Sequence, residues 1–191
     1  MSPITHFLAS WELACALRTS QRDRALLTWA GLFPDLDGAG LLLDVAALAT
    51  GHPSAGFYGA YHHFVLHGAF GQLVLLAVCM PLAESRLRTA LGLLMVFHLH
   101  LLLDLLGSRG PSPDAVWPLY YLGPFSREMV WQWSGQWALN AWPNVLLSLA
   151  LLAAALRRTV VHGVSPTRLF GNTVDTAFVT TLKGWASRFR R

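Results

Sequence analysis

Residues 89–106 read TALGLLMVFHLHLLLDLL, an apolar run whose only ionisable side chains are His98, His100 and Asp104. As one α-helix the run is about 27 Å long at about 1.5 Å per residue, close to the depth of a bilayer core. His100 and Asp104 are four apart and project from one face, while His98 points about 160° away from His100. An imidazole nitrogen and a carboxylate oxygen held one turn apart can both approach a divalent cation at about 2.0–2.2 Å. The same spacing also suits a plain His–Asp hydrogen bond inside a core.

The rest of the chain has the same character. Of its 191 residues 54% are hydrophobic and 13% charged, about half the roughly 25% charged share of a typical soluble domain. That excludes a disordered chain. Further apolar runs cover 25–33, 41–49, 69–83 and 138–156. They predict an all-α helical bundle with three to four membrane-embedded or deeply buried apolar helices. Ser2 and Pro3 open an amphipathic first helix with Phe7, Trp11, Ala14 and Cys15 at helical spacing. It lacks the basic lead and small-residue cleavage site of a signal peptide. Residues 107–137 form a long Gly-, Pro- and Trp-rich connection, and Trp117, Trp131, Trp133, Trp137 and Trp142 read as core or interface residues. Residues 1–160 are expected to form a helical metal-site membrane domain, and residues 161–191 a basic C-terminal tail.

Charge is unevenly placed. From Arg157 onward seven Lys or Arg meet one acid, Asp175, for a net +6, and the remainder carries −2. A basic tail after an apolar segment is expected to face the cytoplasm or an anionic lipid surface, where it could also meet a cytoplasmic protein. With no recognition motif or basic-aromatic strip, nucleic acid is not expected as a partner. By the positive-inside rule Arg18, Arg22, Arg24, Arg86, Arg88 and the tail share one side of a membrane and 107–137 the other. His6 precedes the first basic cluster, so it reaches the far side only if the first helix crosses or if short apolar helices are buried in a bundle. Cys15 and Cys79 lie in apolar runs, against a disulfide framework.

Three more islands of His and Asp break the apolar background. FPDLDG places Asp35 and Asp37 two apart after a proline, where carboxylates converge on a cation or make ordinary turn and N-cap contacts. YHHFVLHG brings His62, His63 and His67 within six residues. Helical periodicity pairs His63 with His67; His62 joins His67 only if the segment is irregular. His6 is a lone histidine on the first helix. Together, nitrogen and oxygen donors without thiolate point to a metal centre of zinc, manganese or iron, with donors enough for one to three ions. Glu12, Glu84 and Glu128 do not cluster. No P-loop, nucleophile elbow or dinucleotide fingerprint is present.

In this order the islands resemble the membrane-bound metal-dependent hydrolase family, which includes LexA-binding, inner-membrane-associated hydrolases. The resemblance covers most of the first 125 residues: Thr5-His6, then Phe33 to Asp37 for a Leu-Pro-Asp-x-Asp turn, His62 to Gly68 for His-Arg-Gly-x-Thr-His-Ser, His100 to Asp104 for His-x-x-x-Asp, and Trp117-Pro118. Of the third motif only the two histidines persist. The resemblance implies His6, Asp35, Asp37, His62, His67, His100 and Asp104 as metal ligands, preferring His62 to His63, with zinc the first choice of ion. A looser similarity in ligand order connects the chain to the zinc-dependent phospholipase C and P1-nuclease group. The expected activity is hydrolysis of a phosphoester or lipid head group at a bacterial-type inner membrane. In that reaction the metal activates water, and Asp35 or Asp37 orients it or takes its proton. The alternatives are a non-catalytic, metal-stabilised membrane scaffold or interaction protein, and a cation or proton pathway with its polar groups spread through the membrane.

Overall fold

A computed structural model describes residues 1–188, so Arg190 and Arg191 of the basic tail lie outside the described residues. The chain is helical. It comprises α1 (Pro3–Ala16), α2 (Gln21–Ala30), α3 (Gly40–Ala49), α4 (Phe57–Tyr61), α5 (Ala69–Cys79), α6 (Arg86–Gly107), α7 (Trp142–His162) and α8 (Asn172–Arg188). Two strands of two residues, β1 (Leu119–Tyr120) and β2 (Val130–Trp131), pair antiparallel within the connection between α6 and α7.

Local sequence sets the helix ends. Ser2 and Ser20 cap α1 and α2, their hydroxyls accepting from the amides of Thr5 and Asp23, which satisfies donors the first turn leaves unpaired. Pro81, one residue past the Met80 that caps α5 after Cys79, confines that helix to 11 residues. Helices α6 and α7, of 22 and 21 residues, are long and apolar enough to cross a membrane. They are the two such helices among the described residues, not three to four, because turn-forming Gly and Pro cut the remaining apolar runs short. Nor is the 41–49 run deeply buried: Leu41, Leu42, Leu43, Val45 and Leu48 of α3 are all exposed.

Direction follows from contacts between helix ends. Thr5 bonds Ser148 and Glu12 bonds Arg158, so α1 and α7 run parallel. His6 lies against Asp104, and Leu17 lies near Gly92, so α6 is antiparallel to α1. Helix α2 turns back along α1, bringing Gly31 beside Ser10 and the carbonyl of His6, while Asp23 at its start accepts from the amides of Glu84 and Ser85 ahead of α6. Leu27, Leu75, Leu93, Val96, Phe97 and Leu101 form the core between α2, α5 and α6. Two ends result. Arg18, Arg22, Arg24, Arg86, Arg88, Arg157 and Arg158 gather at one, and His6 reaches the other because the 14-residue α1 runs the distance inside the bundle.

The segment expected to be tail is partly built structure. A 3-10 turn (Pro166–Phe170) and α8 pack back on α7, held by Asp175, which accepts from Ser165 at 2.6 Å and pairs with Arg168 at 3.6 Å.

Candidate metal centre

At the end away from those seven arginines, five segments converge. Helix α6 contributes His100 and Asp104, both 1% exposed, and α1 contributes His6, also 1% exposed. The 3-10 turn Pro34–Ala39 contributes Asp35 and Asp37. The irregular stretch between α4 and α5 contributes His62, His63 and His67, and the loop after α6 supplies Ser108, Arg109 and Trp117. Because 62–68 is not helical, helical periodicity has no hold on which histidines meet.

The donor atoms crowd closely. His100 Nε2 is 3.2 Å from His67 Nε2 and 3.0 Å from Asp104 Oδ2. His67 Nε2 is 3.5 Å from the same oxygen, and Asp35 Oδ1 lies 3.7 and 3.9 Å from the two nitrogens. Atoms each about 2.1 Å from a shared ion stand about 3.0–3.4 Å apart, so the spacing fits a coordination shell slightly open on the Asp35 side. His6 Nε2 lies 3.1 Å from the other oxygen of Asp104, its ring stacked on His100 at 3.8 Å. His6, Asp35, His100 and Asp104 form one group able to hold an ion, and His62, His63 and His67 form another.

Hydrogen bonds behind these rings fix which atoms face inward. His100 Nδ1 donates to the carbonyl of Gly31 at 2.8 Å, and His67 Nδ1 donates to Asp37 Oδ2 at 3.0 Å. Each Nε2 therefore points at the cluster. Four acceptor atoms thus meet with no donor among them, unless His67 carries a second proton. Burial alone would lower the His67 pKa, but the carboxylates of Asp104 and Asp37 outweigh it and hold it up at about 9. His6, by contrast, is pushed down to about 4 by burial, and burial likewise holds His63 well below the usual imidazole value. Asp104 Oδ2 and Asp35 Oδ2 are buried without a hydrogen-bond partner. Such a set asks for a cation, and a divalent ion competes for the place the proton takes.

All seven residues singled out in the sequence gather around this point, though they face it differently. Asp37 uses both oxygens on His62 Nδ1, His67 Nδ1 and the amide of Leu66, so it orients rings. Despite burial, these bonds keep its carboxyl below the usual range. Asp35 lines an open cleft of about 390 Å³ together with Tyr58, His62, His63, Asp104, Ser108, Arg109 and Trp117. His63 sits at φ 64°, its Nε2 3.8 Å from Asp104 Oδ2. His98 bonds Tyr121 instead, at 3.0 Å.

Sequence reasoning missed several contributors. Ser108, whose hydroxyl donates to Asp104 Oδ1 at 2.7 Å, continues the His100–Asp104 spacing by one turn and was findable on that ground. Gln136, buried 32 residues from Asp104, donates to the Asp104 carbonyl at 2.9 Å and accepts from the Trp117 amide at 3.0 Å. Asn144 donates to the Gly107 carbonyl at 2.8 Å, tying the end of α6 to the start of α7. The α-amino group of Met1 contacts Asp104 and Ser108. The chain matches no protein-family model, no curated protein and no solved structure.

Proposed function

We propose that the protein is a membrane-embedded, metal-dependent hydrolase of the membrane-bound metal-dependent hydrolase type, acting on a phosphoester or lipid head group. One observation carries the reading: the Nε2 atoms of His67 and His100 and carboxylate oxygens of Asp104 and Asp35 meet at one point beside an open cleft that Asp35 and Asp104 line. A pathway through a bilayer would need its polar groups spread along the depth, whereas these lie together at one end. Nitrogen and oxygen donors without thiolate favour zinc, with manganese or iron next, at one to three ions per chain.

His67, His100, Asp104 and Asp35 would hold a divalent cation there, which when bound would supply Lewis acidity toward water and a substrate oxygen. The chain's own groups do the rest. Gly31 and Asp37 hold the His100 and His67 rings in register, and Asp35 Oδ2, buried and unpartnered beside the cleft, takes a proton from entering water. Trp117 packs on His62 and His63 and shields that wall. Helices α6 and α7 carry exposed Leu91, Leu94, Leu102, Leu146, Leu149 and Leu152, apolar surface that suits lipid. With seven arginines at the opposite end against Arg109 and Arg127 on the cleft side, the positive-inside rule favours that end and the tail in the cytoplasm of a bacterial-type inner membrane, and the cleft across from it.

The test is elemental analysis of detergent-purified, untagged protein beside Asp104→Ala and His100→Ala. About one or more zinc or manganese per chain, lost in both variants, together with metal-dependent cleavage of phosphoester or phospholipid substrates, is the expected result. A wild type that neither carries metal nor takes it up on reconstitution overturns the reading. Metal without turnover would instead favour a metal-stabilised scaffold.

A further inference from the structure

The cleft holds a cation that the metal reading does not use. Arg109 lines it beside Asp35, His62, His63 and Asp104. Its Nε is buried and has no hydrogen-bond partner, and it forms no ion pair among the described residues. The other half-buried arginines are engaged through their terminal nitrogens: Arg158 pairs with Glu12 at 2.8 Å and Arg168 with Asp175 at 3.6 Å, while Arg24, whose Nε is likewise buried without a partner, donates through Nη2 to the Thr19 carbonyl at 3.2 Å. Burying a guanidinium nitrogen without an acceptor is costly, so an acceptor is missing.

The backbone at this position is fixed, so the side chain is not a loose surface arginine. The amide of Arg109 donates to the Trp137 carbonyl at 3.2 Å, and its carbonyl accepts from Leu139 at 3.0 Å. Those bonds clamp residue 109 one step past Ser108, whose hydroxyl holds Asp104. A planar guanidinium presents a fork of donors that matches two oxygens of a phosphoryl group, and an adjacent divalent ion would add to the attraction.

We infer that Arg109 is the residue that holds the phosphoryl group of the substrate in the cleft, and so selects phosphorylated substrates. This rests on the hydrolase reading for its chemistry, yet the binding itself can be measured without it. Phosphoryl groups reach such a cleft either as soluble phosphates or as lipid head groups.

The experiment uses the full chain in detergent, wild type beside R109Q and R109K, with metal content and melting temperature recorded for each. Inorganic phosphate binding is measured by titration calorimetry, with and without added zinc, and acetate serves as the control anion. The expected result is unchanged metal content and melting temperature in both variants. R109Q should bind phosphate about tenfold or more weakly, the worth of one charge-assisted hydrogen bond, and R109K should fall between. Phosphate binding equal in wild type and R109Q overturns the inference, as does a wild type that binds no phosphate or binds acetate equally well. If the wild type carries no metal, the hydrolase reading fails. Arg109-dependent phosphate binding in the metal-free protein then still supports the inference. To separate the sources, the wild type is moved into phosphatidylcholine vesicles with or without phosphatidic acid. Loss of phosphate binding in the phosphatidic acid vesicles assigns the site to a lipid head group, and its persistence there assigns it to a soluble phosphate.

Discussion

The Nδ1 hydrogen of His100 is donated to the carbonyl oxygen of Gly31 across 2.8 Å, linking α6 to the turn that ends α2. Because a carbonyl only accepts, the bond fixes the tautomer and leaves His100 Nε2 for the cluster. Gly31 can be this close only because it has no side chain. A Cβ there would stand 1.8 Å from Ser10 Oγ and 2.5 Å from Ser10 Cβ.

Gly31→Ala is therefore expected to push α2 off α1, weaken metal binding about 10–100-fold through the misplaced His100 ring, and lower the melting temperature. Replacing Ser10 with glycine as well removes both clashing atoms. Metal affinity by chelator competition should recover most of the way in the double variant, less the roughly 0.5–1 kcal/mol cost of a helical glycine. No recovery would show that the close approach is not what holds His100.

Asp37→Asn is expected to keep the metal stoichiometry of wild type while weakening affinity about 10–100-fold, because Asp37 acts through the rings of His62 and His67. Elemental analysis with chelator competition separates the two effects. Stoichiometric loss equal to that of Asp104→Ala would place Asp37 among the direct ligands.

Asp23 ties the start of α6 to α2. Burial raises its pKa, but the bonds it accepts from the amides of Glu84 and Ser85 outweigh that and hold it below the ordinary value. A carboxyl depressed on folding stabilises above its unfolded pKa of about 3.9 and loses that contribution as pH falls through the folded value. Asp23→Asn should cost about 1–3 kcal/mol near neutral pH. Thermal melts of the two proteins should converge only below about pH 4; a gap that persists in stronger acid contradicts the assignment.

His63 is held at φ 64°, a region a β-carbon disfavours by about 1–2 kcal/mol. With the imidazole removed in both, His63→Gly should melt above His63→Ala. The reverse order would mean that the left-handed backbone is not retained once the ring is gone.

The helices were legible for a physical reason. Apolar runs bounded by Pro, Gly and basic residues have few ways to satisfy their backbone other than as helices: 89–106 lies wholly within α6, and of 138–156 the part from Trp142 lies within α7. Their number as spans was not legible, since apolarity alone does not separate a spanning helix from α5, packed on α6, or from the short exposed α3. The two-residue strands β1 and β2 are too short to carry a periodic signal, whereas α8 carries one, Val174, Ala177, Phe178, Leu182 and Trp185, that an expectation of a basic tail passes over.

In the site, sequence supplied residue types and one spacing, His100 to Asp104, because a single helix carries both and its geometry is known in advance. It also supplied the chemistry, since His and Asp set in apolar chain require partners wherever they fall. Which atoms face inward was decided by tertiary contacts: Gly31 behind His100, Asp37 behind His67, and an irregular 62–68 that places His63 in the cleft beside His62. The same holds for Arg109, an unremarkable loop residue in the sequence that the clamp to Trp137 and Leu139 sets at the mouth of the cluster. These contacts join residues about 30 to 70 positions apart, beyond the reach of any local pattern, and exist only once α1, α2 and α6 have packed.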